Sequence, residues 1–185
     1  MHNTEKSSMV NKPFAVFPGS FDPFTLAHYE LAFEASKFFK VIILICHNPG
    51  KSSGMFTPNE RKNIITYALS SAVGEGEFNA EDIAVDVCYG LVSDYCEQNN
   101  INHVIRGIQY KNAAEELDLA SIYYDDAKIK TLFFPTYSQK LKCVSSTRIR
   151  EYIKNNNKQW KRFVPSEAVS ITQAYINTKR RQNKI

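Results

Sequence analysis

The chain has 185 residues, 43% of them hydrophobic and 23% charged, with a formal net charge of +4. That length suits one domain, residues 1–185, with a full core. The mildly basic balance fits an anionic small-molecule substrate and is only weak evidence for nucleic acid, which is not expected as a partner. No run approaches the ~18 apolar residues of a membrane span, and the polar residues 1 to 12 lack the apolar stretch of a signal peptide. Cys46, Cys88, Cys96 and Cys143 show no CxxC spacing, so they read as reduced thiols of a cytoplasmic protein rather than as a zinc site. Lys179-Arg180-Arg181 and Lys184 read as a solvated basic tail.

Taken in order, Phe14–Phe17 predicts a first strand and Thr25 to about Phe39 a helix. Val41 to Ile45 is a near-continuous apolar run, the mark of a parallel strand covered on both faces. Thr57-Pro58-Asn59-Glu60 opens the next helix, with Thr57 as N-cap, Pro58 in the first turn and Glu60 as capping-box partner. Ile83 to Cys88 alternates like a strand, Leu91 to Gln98 is a short helix, and His103-Val104-Ile105 a short strand. Asn112 to about Tyr124 is helical, and Thr131 to Phe134 is a fifth strand stopped by Pro135. Two helices follow, near Thr147–Lys154 and Glu167–Thr178. The alternation implies an α/β fold, a doubly wound five-stranded parallel sheet.

In such a sheet ligands sit outside the carboxyl ends of the strands. Gly19-Ser20, Lys51, Gly90-Leu91, Arg106-Gly107 and Ser145-Ser146-Thr147 are the residues that should converge there. Glycines, hydroxyls, cations and helix N-termini are the tools that hold phosphate groups.

The motifs then resemble a known family. Pro18-Gly19-Ser20-Phe21-Asp22-Pro23-Phe24-Thr25-Leu26-Ala27-His28 resembles the signature of the HxGH nucleotidyltransferases, a Rossmann-like fold. Thr25 stands where the phosphopantetheine adenylyltransferase branch replaces the first histidine. Ile105-Arg106-Gly107-Ile108, Glu115 to Ala120, Met55 to Arg61, Val144 to Ile149 and Phe163-Val164-Pro165 resemble further motifs of that branch, in the right order. The resemblance implies adenylyl transfer from ATP to 4′-phosphopantetheine, giving dephospho-coenzyme A and pyrophosphate, with Mg2+ required and a homo-oligomer, commonly a hexamer. Two alternatives stay open: a nicotinate or nicotinamide mononucleotide adenylyltransferase, and a catalytically weak nucleotide- or RNA-binding module.

The resemblance also implies roles. His28, Lys51 and Ser20 serve catalysis; Ser20, Lys51, Leu91, Val92 and Arg106 hold the acceptor. Ser20, Phe21, His28, Gly107, Ile108, Gln109, Glu116, Leu141, Lys142, Cys143, Val144, Ser145, Ser146 and Thr147 line ATP. Each has a plainer reading. Ser20 is also a turn hydroxyl, Ser145 to Thr147 an N-cap, Leu91 and Val92 core, and Glu116 (or its rival Glu115) a solvated helix face. Asp22 fits a metal ligand or an Asx-turn equally. Gln109 departs from the arginine that the family often carries, a loss that predicts ATP binding weaker by about 1 to 3 kcal/mol. Arg148 and Lys111 are the cations placed to compensate.

Overall fold

A computed structural model describes residues 12–47, 54–74, 79–108, 112–135, 141 and 144–185, with nothing said of the side chains of 71–73. Five strands form one sheet: β1 (Phe14–Gly19), β2 (Lys40–Cys46), β3 (Ile83–Cys88), β4 (His103–Ile108) and β5 (Lys130–Pro135). Their order is β3-β2-β1-β4-β5 and every pair is parallel. The helices are α1 (Leu26–Ser36), α2 (Pro58–Gly74), α3 (Val92–Gln98), α4 (Ala113–Ala127), α5 (Ser146–Lys154) and α6 (Val169–Arg181), with 3-10 turns at Ala80–Asp82, Lys158–Arg162 and Ser166–Ala168. This is the expected doubly wound architecture.

Strand alternation explains why the sheet is wound on both faces. Ala15, Phe17, Val41, Ile43, Ile45 and Ile105 enter one core with residues of α1, α2, α5 and α6. Val16, Leu44 and Val104 turn the other way, into a second core with Cys96 of α3 and Tyr123 of α4. A strand buried on both sides cannot afford polar positions, hence the apolar run of β2. Cys46 and Cys88 are register partners and Cys46, Cys88 and Cys96 are free thiols; burial pushes the Cys46 and Cys96 thiols up to about 11, which keeps them protonated and unreactive.

The capping box of α2 forms as its sequence demands. The Thr57 N–H donates to Glu60 Oε2 at 2.7 Å, and the Glu60 N–H to Thr57 Oγ1 at 3.2 Å. The basic tail corrects the sequence reading. Lys179 is 8% exposed and pairs with Glu60 at 2.7 Å, so α6 runs on to Arg181 and docks against the start of α2. Arg180 donates to Asn156 Oδ1 and the Ile153 carbonyl, each at 2.8 Å. Charge count alone cannot reveal a lysine whose stem lies in the core and whose ammonium finds a carboxylate. Among the described residues no helix is long and apolar enough to cross a membrane.

Candidate active site

The order β3-β2-β1-β4-β5 reverses direction between β1 and β4. That switch point opens a crevice at the carboxyl ends of the two strands, where open α/β sheets bind ligands. The β1–α1 loop lies on one side, and the end of β4 with the first turn of α4 on the other.

On the first side Thr25 caps α1. Its Oγ1 accepts the His28 N–H at 3.3 Å, and its own N–H donates to His28 Nδ1 at 3.1 Å. A histidine here completes the capping box that Glu or Gln usually makes. Because Nδ1 accepts, the proton of the neutral ring sits on Nε2. Phe21, Phe24 and Phe17 surround the imidazole with centroids at 5.0, 5.6 and 6.3 Å. Burial lowers its pKa from 6.5 to about 4, so His28 is a neutral donor with a fixed tautomer at pH 7.

The α1 terminus is less open than a bare helix end. The Leu26 N–H donates to the Phe163 carbonyl at 2.9 Å, and the His28 N–H goes to Thr25. Two of the N–H groups that a helix N-terminus could turn to a phosphate are therefore already engaged. Gly19 is a packing requirement, because a Cβ there would lie 2.8 Å from the Phe21 ring. Phe21 holds φ at 47° and is 2% exposed, so any contact it makes to a ligand is through its main chain. Ser20 is exposed beside it, its carbonyl accepting from Arg61 Nη1 at 3.1 Å.

Asp22 has a structural role, but the bonds it makes are to a distant segment and not those of the expected Asx-turn. Buried to 4% exposure, it accepts the Met55 and Phe56 N–H groups, each at 2.8 Å, and pairs with Arg61 at 3.3 Å. Arg150 donates to its carbonyl at 2.7 Å and reaches Thr147 Oγ1 at 3.0 Å. Asp22 therefore ties the β1 loop to the segment entering α2 and, through Arg150, to α5. Arg61 closes one of the family-like motifs and Arg150 directly follows another, and neither carries an expected role.

The α5 turn shares out its hydroxyls. Ser145 Oγ accepts the Arg148 N–H at 3.3 Å as N-cap, and Ser146 Oγ donates to the Pro23 carbonyl at 2.8 Å. Thr147 is the exposed one. The single-capper reading thus accounts for Ser145, while Ser146 tethers the turn to the β1 loop. The Val144 side chain is buried, and Leu141 packs against the core and takes the Val144 N–H on its carbonyl at 2.9 Å. Arg148 is exposed and donates to the Tyr152 hydroxyl at 3.0 Å.

On the second side Arg106 leaves β4 and is gripped at once. Nε donates to Glu116 Oε2 at 2.6 Å, Nη2 to Glu116 Oε1 at 2.9 Å, and Nη1 to the Pro18 carbonyl at 3.2 Å. Burial works against its charge, but the hydrogen bonds and charge of Glu116 outweigh that, and its pKa is raised. Of the two rival glutamates, Glu116 faces the site and Glu115 is exposed on α4. Gly107 lies under α1, where a Cβ would come 2.9 Å from Leu31 Cδ1. Ile108 ends β4, half-buried. Leu91 is 65% exposed at the start of α3, so the core alternative fails for it, whereas Val92 packs against the second core. Lys51, Gln109, Lys111, Lys142 and Cys143 lie outside the described residues.

Comparison with known proteins agrees with this fold. Residues 16–152 match the model of the cytidylyltransferase-like family. The phosphopantetheine adenylyltransferase of Corynebacterium diphtheriae is 32% identical over 161 residues, 86% of this chain and 96% of that one. Its counterpart in Borrelia duttonii is 34% identical over 154 residues, 82% of this chain and 88% of that one. The chain belongs to the phosphopantetheine adenylyltransferase family. Among solved structures, the nicotinic acid mononucleotide adenylyltransferase of Plasmodium falciparum superposes with a TM-score of 0.65 over 89% of this chain and 96% of its own, at 14% identity. A bifunctional NMN adenylyltransferase/ADP ribose pyrophosphatase of Francisella tularensis gives 0.66 over 94% of this chain and 52% of its own, at 16% identity. At such identities these structures speak for the fold, and the family membership rests on the sequence relatives.

Proposed function

We propose that this protein transfers the adenylyl group of ATP to 4′-phosphopantetheine, releasing pyrophosphate and leaving dephospho-coenzyme A. The observation that carries the reading is the pairing, across one switch-point crevice, of a neutral His28 donor with the guanidinium of Arg106. In this reaction the acceptor phosphate attacks the α-phosphorus in line and the bond to pyrophosphate breaks, so no protein nucleophile is required. The chain's task is to hold two anions and meet the charge that builds on the transferring group. His28 does this as a hydrogen-bond donor through Nε2–H, with no proton to give up at pH 7. Arg106 holds the acceptor phosphate, and the α5 turn with Thr147 faces the nucleotide phosphates. Lys51 completes the cationic set in this reading.

Among the described residues no cluster of His, Cys, Asp or Glu is arranged to hold a metal ion, and Asp22 is committed to backbone donors and arginine. Magnesium enters this proposal with the phosphates of ATP, as part of the substrate. From the family resemblance we include a homo-oligomer, a hexamer, working in the cytoplasm. The second reading, a mononucleotide adenylyltransferase, has the fold of its solved neighbours in its favour; Thr25 in place of a histidine and the Arg106-Gly107 pair weigh against it. Incubation with ATP, magnesium and either 4′-phosphopantetheine or the mononucleotides, with pyrophosphate measured, separates the two. Release with the pantetheine phosphate is expected; release with mononucleotides alone would overturn the proposal.

A further inference from the structure

We propose that the pocket between the carboxyl ends of α5 and α6 is a second binding site, one for a small organic phosphate. Basic residues are crowded into this part of the chain. Residues 152–185 hold eight of the 23 Lys and Arg residues but one of the 19 Asp and Glu residues. The 3-10 turn Lys158–Arg162 and α6 bring three of these cations, Lys158, Lys161 and Arg180, to one cavity of about 290 Å³. No carboxylate lines it. Among the described residues none of the three cations pairs with one. By contrast Arg61, Arg106 and Lys179 are each matched within the fold, by Asp22, Glu116 and Glu60. Like charges drawn around one hollow repel each other, and an anion placed between them relieves that cost.

The walls are fixed before any ligand arrives. Arg180 donates to Asn156 Oδ1 and to the Ile153 carbonyl, each at 2.8 Å. Both partners are neutral, so the guanidinium is ordered without a carboxylate to cancel its charge, and less entropy remains to be lost on binding. The Asn157 side chain caps the 3-10 turn by accepting the Gln159 N–H at 2.9 Å. The floor is apolar, built from the buried Ile153, Trp160 and Ile176, with Lys161 Nζ 5.7 Å from the centre of the indole. The amides of Gln173 and Asn177, bonded to each other at 3.0 Å, line the α6 wall. Cations suit a phosphate, and amides over an apolar floor suit a hydroxyl-bearing carbon body. The cavity is at the small end for ligand pockets, which fits a sugar phosphate better than a dinucleotide. The site is separate from the crevice. The first turn of α5 borders the β1 loop through Ser146, and Ile153 lies about 10 Å further along the helix.

Trp160 is the only tryptophan of the chain, so its emission reports on this pocket. The test titrates the full-length protein with ribose 5-phosphate, inorganic phosphate and ribose while following that emission. Ribose 5-phosphate is expected to give a saturable change with a Kd below about 1 mM, inorganic phosphate a weaker one, and ribose none. K158A/K161A removes two side chains from the rim and leaves the floor intact. It is expected to weaken the ester by about tenfold or more, with the thermal melt, kcat and both KM values unchanged. K158R/K161R, which keeps the charge, should bind as the parent does. No saturable response in the parent, an equal response to ribose, or undiminished affinity in K158A/K161A would each overturn the inference. Equal affinity for inorganic phosphate and the ester would overturn the organic class proposed, leaving a site for a bare anion.

Discussion

The two sides of the crevice reach their shape by different means. The β1–α1 side is held by many contacts to itself. Thr25 and His28 cap each other, three phenylalanines fix the imidazole, and Asp22 gathers two backbone N–H groups and two arginines. Among the described residues the β4–α4 side offers Arg106, held by Glu116 and the Pro18 carbonyl and only partly exposed. Preorganised dipoles belong where charge develops during the reaction, because nothing must then rearrange. A cation kept charged by a carboxylate suits a substrate group whose charge is the same before and after binding. The division of labour predicts that damage to the first side strikes turnover and folding, and damage to the second strikes acceptor affinity.

The sharpest way to break that contrast is His28→Ala. Loss of a fixed donor aimed at a transferring group is expected to lower kcat by about 10²- to 10³-fold. Circular dichroism should stay unchanged, since the capping hydroxyl of Thr25 still meets the main chain at residue 28. Turnover near that of the parent would take His28 out of the mechanism.

Next in size is stability. Asp22 is buried, and its removal leaves Arg61, itself 4% exposed, uncompensated together with two backbone N–H groups. Asp22→Ala is expected to cost about 3–5 kcal/mol in urea unfolding. Glu116→Ala strips a pair whose arginine is partly exposed and can rehydrate, and about 1–3 kcal/mol is expected. Equal losses would show that the two sides are built alike.

The pH dependence follows from His28. Its pKa is about 4 in the folded protein against 6.5 for an unperturbed ring. Between these values the unfolded chain binds more protons than the folded one, so stability falls as pH drops through 6.5 toward 4 and the cost is complete below about 4. The full effect is at most ~3 kcal/mol. His28→Gln should flatten that part of the stability curve, which thermal melts at pH 7 and pH 4.5 would show. A slope unchanged in the variant would mean that other groups produce it.

Much of this was legible beforehand because the signals were local. Periodicity and capping residues marked the strands and helices, and the residues after Phe17 drew attention to the carboxyl end of β1. What sequence could not reveal were the pairings between distant segments. Arg106 and Glu116 are ten residues apart and meet only because α4 folds back beside β4. Arg150 lies 128 residues from the carbonyl it binds, and Lys179 reads as a tail until α6 brings it to Glu60. A carboxylate's partner is a property of topology, so neither role read for Asp22, metal ligand or Asx-turn, anticipated its bonds to the Met55 and Phe56 N–H groups.

The glycines at the two strand ends give the smallest and most direct comparison. Each lies at the carboxyl end of a central strand, and each would place a new methyl against a side chain at nearly the same distance, 2.8 Å for Gly19 and 2.9 Å for Gly107. What stands in the way differs. Gly19→Ala meets the ring of Phe21, which is 2% exposed, held at φ 47°, and packed edge-on to His28. That ring cannot yield without moving the imidazole, so a cost of about 1–3 kcal/mol is expected, together with a fall in kcat. Gly107→Ala meets the terminal Cδ1 of Leu31, a half-buried side chain that can change rotamer, and less than about 1 kcal/mol is expected with kcat preserved. Measuring unfolding midpoint and kcat for both variants tests whether rigidity resides on the histidine side of the crevice. If Gly107→Ala proved the more damaging, the β4 side would be the rigid one and the division of labour would have to be reversed.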